Sequence, residues 1–150
     1  MSRIYKTWVE ISKDAVRHNV GVFRKIIGPK TKLMAVVKSN AYGHGLWDFS
    51  KLAAEFGADW FGVDSLSEAL KLREKGIEKP ILVLGYTRRG RLIEAVQNRV
   101  SVTLYDNESL RFWAKNINRF AGTPLRVHLK IDTGMRRQGI YPEDLPAFLK

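Results

Sequence analysis

The chain contains no cysteine, which excludes a disulfide framework, a thiolate metal site and a cysteine nucleophile. Long apolar runs are missing too. The longest, Leu33 to Val37, is far too short to cross a bilayer as a helix. The opening residues Met1-Ser2-Arg3-Ile4-Tyr5-Lys6 lack the apolar region of a signal peptide, so no membrane partner and a cytoplasmic location are expected. Histidine is scarce, and His18, His44 and His128 have no metal-ligand spacing, so no metal site is expected. Sequence repeats and low-complexity linkers are also absent, which leaves one domain as the simplest reading.

The 150 residues are 45% hydrophobic, too apolar for a disordered chain. The net charge of +11 invites a nucleic-acid reading. The surplus is spread along the chain, however, and the densest cluster, Arg88-Arg89-Gly90-Arg91, holds few cations. No basic stripe has interleaved aromatics, and no nucleic-acid-binding motif is present. The charge reads as a solvated basic surface that attracts anionic metabolites, with no nucleic-acid partner expected.

Apolar spacing divides the chain into alternating elements. Ser12 caps a helix whose Ala15, Val16, Val20, Phe23 and Ile27 recur at near-helical spacing until Gly28-Pro29 stops it. Leu33–Val37 reads as a buried strand, followed by a glycine-containing loop over Asn40–Gly45 and a helix over Leu46–Phe56. Trp60–Val63 is a second strand. Ser65 and Glu68 match a capping box that opens a helix running to Lys75. Pro80–Leu84 is a third strand, with a helix around Arg89 to Gln97, and Val100–Leu104 is a fourth. Asp106 caps a helix to about Asn118, Leu125–Ile131 is a fifth strand, and Pro142 starts a last helix. Five β-loop-α units in a row predict an α/β fold of parallel strands. Two architectures fit, a doubly wound open sheet or part of a (β/α)8 barrel. Nucleotide fingerprints fail: Gly43-His44-Gly45 is followed by Asp48 where the third glycine belongs. The spacing Gly85 to Gly90 continues into Arg91-Leu92 rather than Lys and a hydroxyl residue.

Lys38 follows the first strand, at the sheet end where α/β sites lie. An amine held there against apolar walls loses solvation and becomes a candidate Schiff-base nucleophile; a lysine snorkelling to solvent is the plainer alternative. In the fifth strand Val127, Leu129 and Ile131 alternate with His128, Lys130 and Asp132, so one face is charged. That face belongs either to a partnered barrel interior or to a wet edge. The next loop, Thr133 to Gly139, carries Arg136 and Arg137, and guanidinium suits a planar carboxylate.

The run Ala35-Val36-Val37-Lys38-Ser39-Asn40-Ala41-Tyr42-Gly43-His44-Gly45 resembles the pyridoxal-phosphate motif of the alanine racemase family. Further resemblance lies, in the family's order, in Thr7–Ile11, Glu68–Arg73, Pro80–Gly85 and His128–Met135. Two positions depart from it: Ser39, where alanine is usual, and Arg136, where glycine is usual and where the longer side chain crowds Arg137. The resemblance implies a partial (β/α)8 TIM-type barrel with about five βα units, residues 1–150 being its N-terminal part. The remaining barrel units and a C-terminal β domain are expected outside this chain.

It further implies pyridoxal 5′-phosphate as cofactor, held by Lys38 as an internal aldimine, with Lys38 also the base for the D-side proton. Tyr42 would contact the cofactor phosphate and Leu84 would line its pocket. Arg137 would bind the substrate carboxylate, and Lys130 matches a lysine that is carbamylated in many members. His44 receives no catalytic role and is expected to pack its loop. The implied reaction is L-alanine to D-alanine in a homodimer, supplying D-alanine for peptidoglycan. The second base, which the resemblance assigns to a tyrosine of the partner subunit, and the pyridine-nitrogen partner lie outside this chain. Residues 1–150 alone are therefore expected to be inactive. A broad-specificity, serine or lysine racemase, a non-catalytic cofactor-binding regulatory barrel and a binding half-barrel remain as alternatives.

Overall fold

The computed structural model describes residues 6–116 and 123–149. Helix α1 (Lys13–Ile27) begins where the Ser12 hydroxyl accepts the Ala15 N–H at 3.2 Å, as the sequence predicts. Then follow β1 (Met34–Val36), α2 (Leu46–Glu55), β2 (Trp60–Val63), α3 (Leu66–Glu74), β3 (Ile81–Val83), α4 (Leu92–Gln97), β4 (Val100–Leu104), α5 (Asn107–Asn116), β5 (Val127–Leu129) and α6 (Leu145–Phe148). Short 3-10 turns at Arg89–Arg91 and Pro142–Asp144 lead into α4 and α6. The expected extension of α5 to Asn118 lies outside the described residues. No helix among the described residues is long and apolar enough to cross a membrane.

All four strand pairings are parallel, and the order is β1-β2-β3-β4-β5. A doubly wound sheet reverses its strand order at a switch point. Here each strand lies beside its successor with no reversal, the order of a barrel opened between its first and last strands. The open-sheet alternative is thereby set aside.

The register sorts side chains onto two faces. Phe61, Val63, Ile81, Val83, Val100, Val102 and Leu104 are buried against α3 and α4 residues such as Leu66, Ala69, Leu72, Leu92 and Ala95. The other face is concave. A Cβ on Gly62 would stand 3.1 Å from Met34 Sδ and 3.2 Å from Leu84 Cδ1, so β1, β2 and β3 converge there. Across it Trp60 of β2 meets His128 of β5 edge to face, 5.7 Å between ring centroids. The two strands are not neighbours, so this contact spans the interior. His128 of the charged face thus points across the concave side, while β5 is the outer strand of this sheet and its three residues are exposed. β5 is shorter than expected because Ile131 leaves the ladder to bridge Ile140.

The N-terminal end of the sheet is fastened by arginines. Arg24 pairs with Asp59 at 2.5 Å, and the same carboxylate accepts the Leu33 N–H at 2.8 Å. The Leu33 N–H and then Arg24 hold the Asp59 carboxyl at about 2. Arg73 donates to the carbonyls of Ile77, Lys79, Asn98 and Arg99 ahead of β3 and β4. These contacts leave the C-terminal end as the place for chemistry.

Candidate active site

Every sequence-predicted site residue lies at or beyond the C-terminal end of a strand. Lys38 leaves β1 two residues after Val36, is half-buried, and forms no ion pair among the described residues. The chain then makes a turn that the sequence did not announce. Ser39, Asn40, Ala41 and Tyr42 have φ of 53°, 56°, 53° and 54°, a left-handed turn built without glycine in place of the expected open loop. Such a run costs energy at each residue because Cβ crowds the following carbonyl. Local bonds offset part of it: the Ala41 N–H donates to Val37 O at 2.8 Å, and the Gly45 N–H donates to Asn40 O at 3.0 Å. The Leu46 N–H donates to Asn40 Oδ1 at 2.9 Å. His44 Nδ1 lies 2.8 Å from Ala41 O, and its ring packs on Phe49, so this histidine is committed to its own loop. Tyr42 ends the turn with its side chain largely exposed.

Leu84 follows β3 and is half-buried over Gly62. The next residue is constrained by its neighbour strand: a Cβ on Gly85 would stand 2.4 Å from Asp64 O, to which its N–H donates at 3.1 Å. Only glycine lets the ends of β2 and β3 approach this closely.

Beyond β5 the loop carrying the arginines is wrapped around one carboxylate. Asp132 is buried, and it accepts the N–H groups of Gly134 and Arg136 on Oδ1 and of Arg137 on Oδ2, each at 3.0 Å. The Arg136 and Gly134 N–H groups hold its carboxyl below the usual carboxylate range. Arg136 adopts φ 54°, in the left-handed region that favours glycine. A cavity of about 150 Å³ is lined by Lys130, Asp132, Arg137 and Gln138 among others, so Lys130 and Arg137 do share a site. Gln138 Nε2 reaches Leu84 O at 3.2 Å and ties this loop to the end of β3.

The structure therefore gathers Lys130 and Arg137 around one cavity and links their loop to Leu84. Lys38 and Tyr42 stand at the opposite edge of the same sheet end. A larger cavity of about 400 Å³, between α1, β1 and α2, is apolar and contains none of these side chains. No group of metal-ligating residues occurs among the described residues. Sequence reading placed Glu68 in a capping box, whereas its carboxylate leaves its own helix to accept the Ser39 N–H, and it passed over Gln138. It noted Asp132 in the alternation and in the His128–Met135 resemblance but not as the acceptor of its own loop, although Asp-Thr-Gly is a recognisable turn signal.

Residues 11–150 match the family described as alanine racemase, N-terminal domain. The chain belongs to this family. An alanine racemase of Methanococcus maripaludis is 42% identical over 139 residues, covering 91% of this chain and 36% of the relative. The alanine racemase of Bacillus anthracis, solved with bound L-Ala-P, superposes with a TM-score of 0.87 at 36% identity, covering 99% of this chain and 38% of that one. A histidine racemase from Leuconostoc mesenteroides subsp. sake superposes with a TM-score of 0.84, also at 36% identity, over 91% of this chain and 37% of that one. The chain thus spans little more than a third of the length of these relatives, and its sheet corresponds to the N-terminal part of their fold.

Proposed function

We propose that this chain forms the cofactor-holding part of an amino-acid racemase that uses pyridoxal 5′-phosphate and interconverts L- and D-alanine. The observation that carries the reading is the presence, at one end of the sheet, of an amine and a guanidinium with no ion pair among the described residues, an exposed phenol and an apolar wall. The donor set would suit the cofactor: an amine with no acidic partner among the described residues for the aldehyde, a phenol for the phosphate, and Leu84 as an apolar wall for the ring. When bound, pyridoxal phosphate supplies an electron sink for the charge left as a Cα–H bond breaks.

Lys38 would hold the cofactor aldehyde through its Nζ and would carry the proton on the D side, as base in one direction and acid in the other. Tyr42 would donate its O–H to the phosphate. Arg137 offers a planar fork to the substrate carboxylate. Lys130 serves Arg137 as a carbamate, formed when its neutral amine adds carbon dioxide and releases a proton. An ammonium beside a guanidinium is repulsive, whereas the carbamate turns the pair into a charge-assisted hydrogen bond. Replacing Lys130 by alanine is then expected to lower turnover about tenfold to a hundredfold, with added small carboxylates restoring part of it. The second base is expected from a partner subunit of a cytoplasmic homodimer.

The test grafts residues 11–150 in place of the matching segment of the M. maripaludis alanine racemase and follows D-alanine by chiral chromatography. Turnover that disappears with Lys38→Ala, together with a borohydride-fixed pyridoxal label on Lys38, is the expected result. A label on Lys130 or Lys32 refutes the assignment. One observation favours a second reading, a racemase for another amino acid: the histidine racemase and the B. anthracis alanine racemase are equally identical to this chain. Assay of the graft cannot decide substrate choice made by the relative's own residues, so side-chain preference is read from the protein that carries this segment.

A further inference from the structure

Glu68 is placed by sequence in a capping box, in which its carboxylate should return to the N–H of Ser65. Only half of the box forms. The Ser65 hydroxyl accepts the Glu68 N–H at 3.3 Å, but the carboxylate turns away to the strand ends. Oε1 accepts the Ser39 N–H at 2.7 Å and the Asn40 N–H at 3.4 Å, and Oε2 accepts the Asp64 N–H at 2.9 Å. The bonds that close the far side of the left-handed turn use Ala41, Gly43, His44 and Gly45 as donors. For Ser39 and Asn40, the first two residues in the unfavourable conformation, Glu68 is the acceptor among the described residues. The link continues: Asp64, bound through its N–H, accepts the Gly85 N–H on its carbonyl. One carboxylate thus joins the end of β1, which carries Lys38, to the end of β2, and through it to the end of β3, which carries Leu84.

We propose that Glu68 is a positioning residue, whose carboxylate holds the left-handed turn in place and so fixes the direction in which Lys38 leaves β1 and its distance from Leu84. Ser39 follows Lys38 directly, so a free Ser39 N–H lets the Lys38 peptide rotate toward the ordinary right-handed region, which is favoured for residues with a Cβ. A carboxylate suits this task better than a neutral acceptor because its two oxygens serve three N–H groups at once. The proposal rests on the reading of Lys38 as the cofactor lysine.

The test compares Glu68→Ala, Glu68→Gln and Ser65→Ala in the graft of residues 11–150 by amide hydrogen exchange, titration with pyridoxal 5′-phosphate, borohydride trapping and melting temperature. In Glu68→Ala the Ser39 and Asn40 amides are expected to exchange on the order of tenfold faster, and half-saturation by pyridoxal phosphate to rise on the order of tenfold. Glu68→Gln, which keeps the shape and one acceptor oxygen, falls between and serves if the alanine variant does not fold. Ser65→Ala loses a helix cap and lowers the melting temperature, yet leaves both other readouts unchanged. Unchanged exchange in Glu68→Ala and Glu68→Gln overturns the clamp. Faster exchange with unchanged half-saturation overturns the positioning role. If the wild-type graft takes no label on Lys38, the racemase reading fails, and the exchange measurement still decides whether Glu68 holds the turn.

Discussion

The two loops that hold the candidate cations are secured in opposite ways. The loop after β5 is held from within: Asp132 gathers the N–H groups of residues two, four and five positions later. The turn after β1 is held from outside, by a carboxylate 29 residues away that also binds the next strand. A locally held loop keeps its shape whenever its own few residues fold. A remotely held turn keeps its shape only when β1, β2 and α3 are already packed. The residue proposed to bind cofactor thus depends on tertiary structure, and the residue proposed to bind substrate depends on its neighbours.

The largest effect that tests this contrast is expected from Asp132→Ala. Three N–H groups lose their acceptor, and tryptic cleavage after Arg136 and Arg137 should rise on the order of tenfold or more, as for a locally opened segment. Timed digestion with mass spectrometry reads it. Cleavage at an unchanged rate would show that the loop is held by something other than its carboxylate. Acid provides a second, milder break. The folded chain holds the Asp132 carboxyl below its usual range, so the contribution is complete above that range and is lost as pH falls through the lowered value. Exchange of the Gly134, Arg136 and Arg137 amides should rise on acidification while β-sheet amides remain protected.

Asp59, at the other end of the sheet, supplies the control. Its carboxyl sits at about 2 against an ordinary 3.8, so its stabilisation is full above the ordinary value and is lost between there and about 2. Asp59→Asn should cost on the order of 1 kcal/mol at neutral pH after solvent screening and flatten that acid limb. It should leave the exchange of the Asp132 loop unaltered. The smallest effects come from relieving left-handed conformations. Arg136→Gly and Ser39→Gly each keep the backbone donors and should stabilise by about 0.5 kcal/mol, the relief exceeding the entropy cost of glycine. Urea midpoints measure both, and a gain at Arg136 alone would mean that the first turn is not strained in isolation.

What could be read in advance follows the same division. The Ser12 cap, the strand at Trp60–Val63 and the helix opening at Leu66 depend on residues within one turn of each other, and pattern alone placed them. The position of Lys38 beyond a strand end was legible from the strand before it, whereas Lys130, expected inside the fifth strand, follows β5 because that strand ends at Leu129. The left-handed turn was not, since Ser39-Asn40-Ala41-Tyr42 contains no glycine to signal it. Nor was the destination of the Glu68 carboxylate, because a capping box and a long-range clamp have the same sequence. β5 ended early for a comparable reason: Ile131 bridges Ile140, a partner that hydrophobic alternation cannot reveal.

The uninterrupted order of the sheet also has a kinetic meaning. Each strand pairs with the next in the chain, so every pairing closes a short loop and can form early at little entropic cost. Lys38 and Arg137, however, follow the two outermost strands, β1 and β5. They acquire fixed relative positions only after all four pairings exist, through contacts such as Trp60 with His128 across the interior. During refolding, secondary structure should therefore appear well before any signal that requires both residues. A ligand bridging the amine and the guanidinium reports on the last step of assembly rather than on the first.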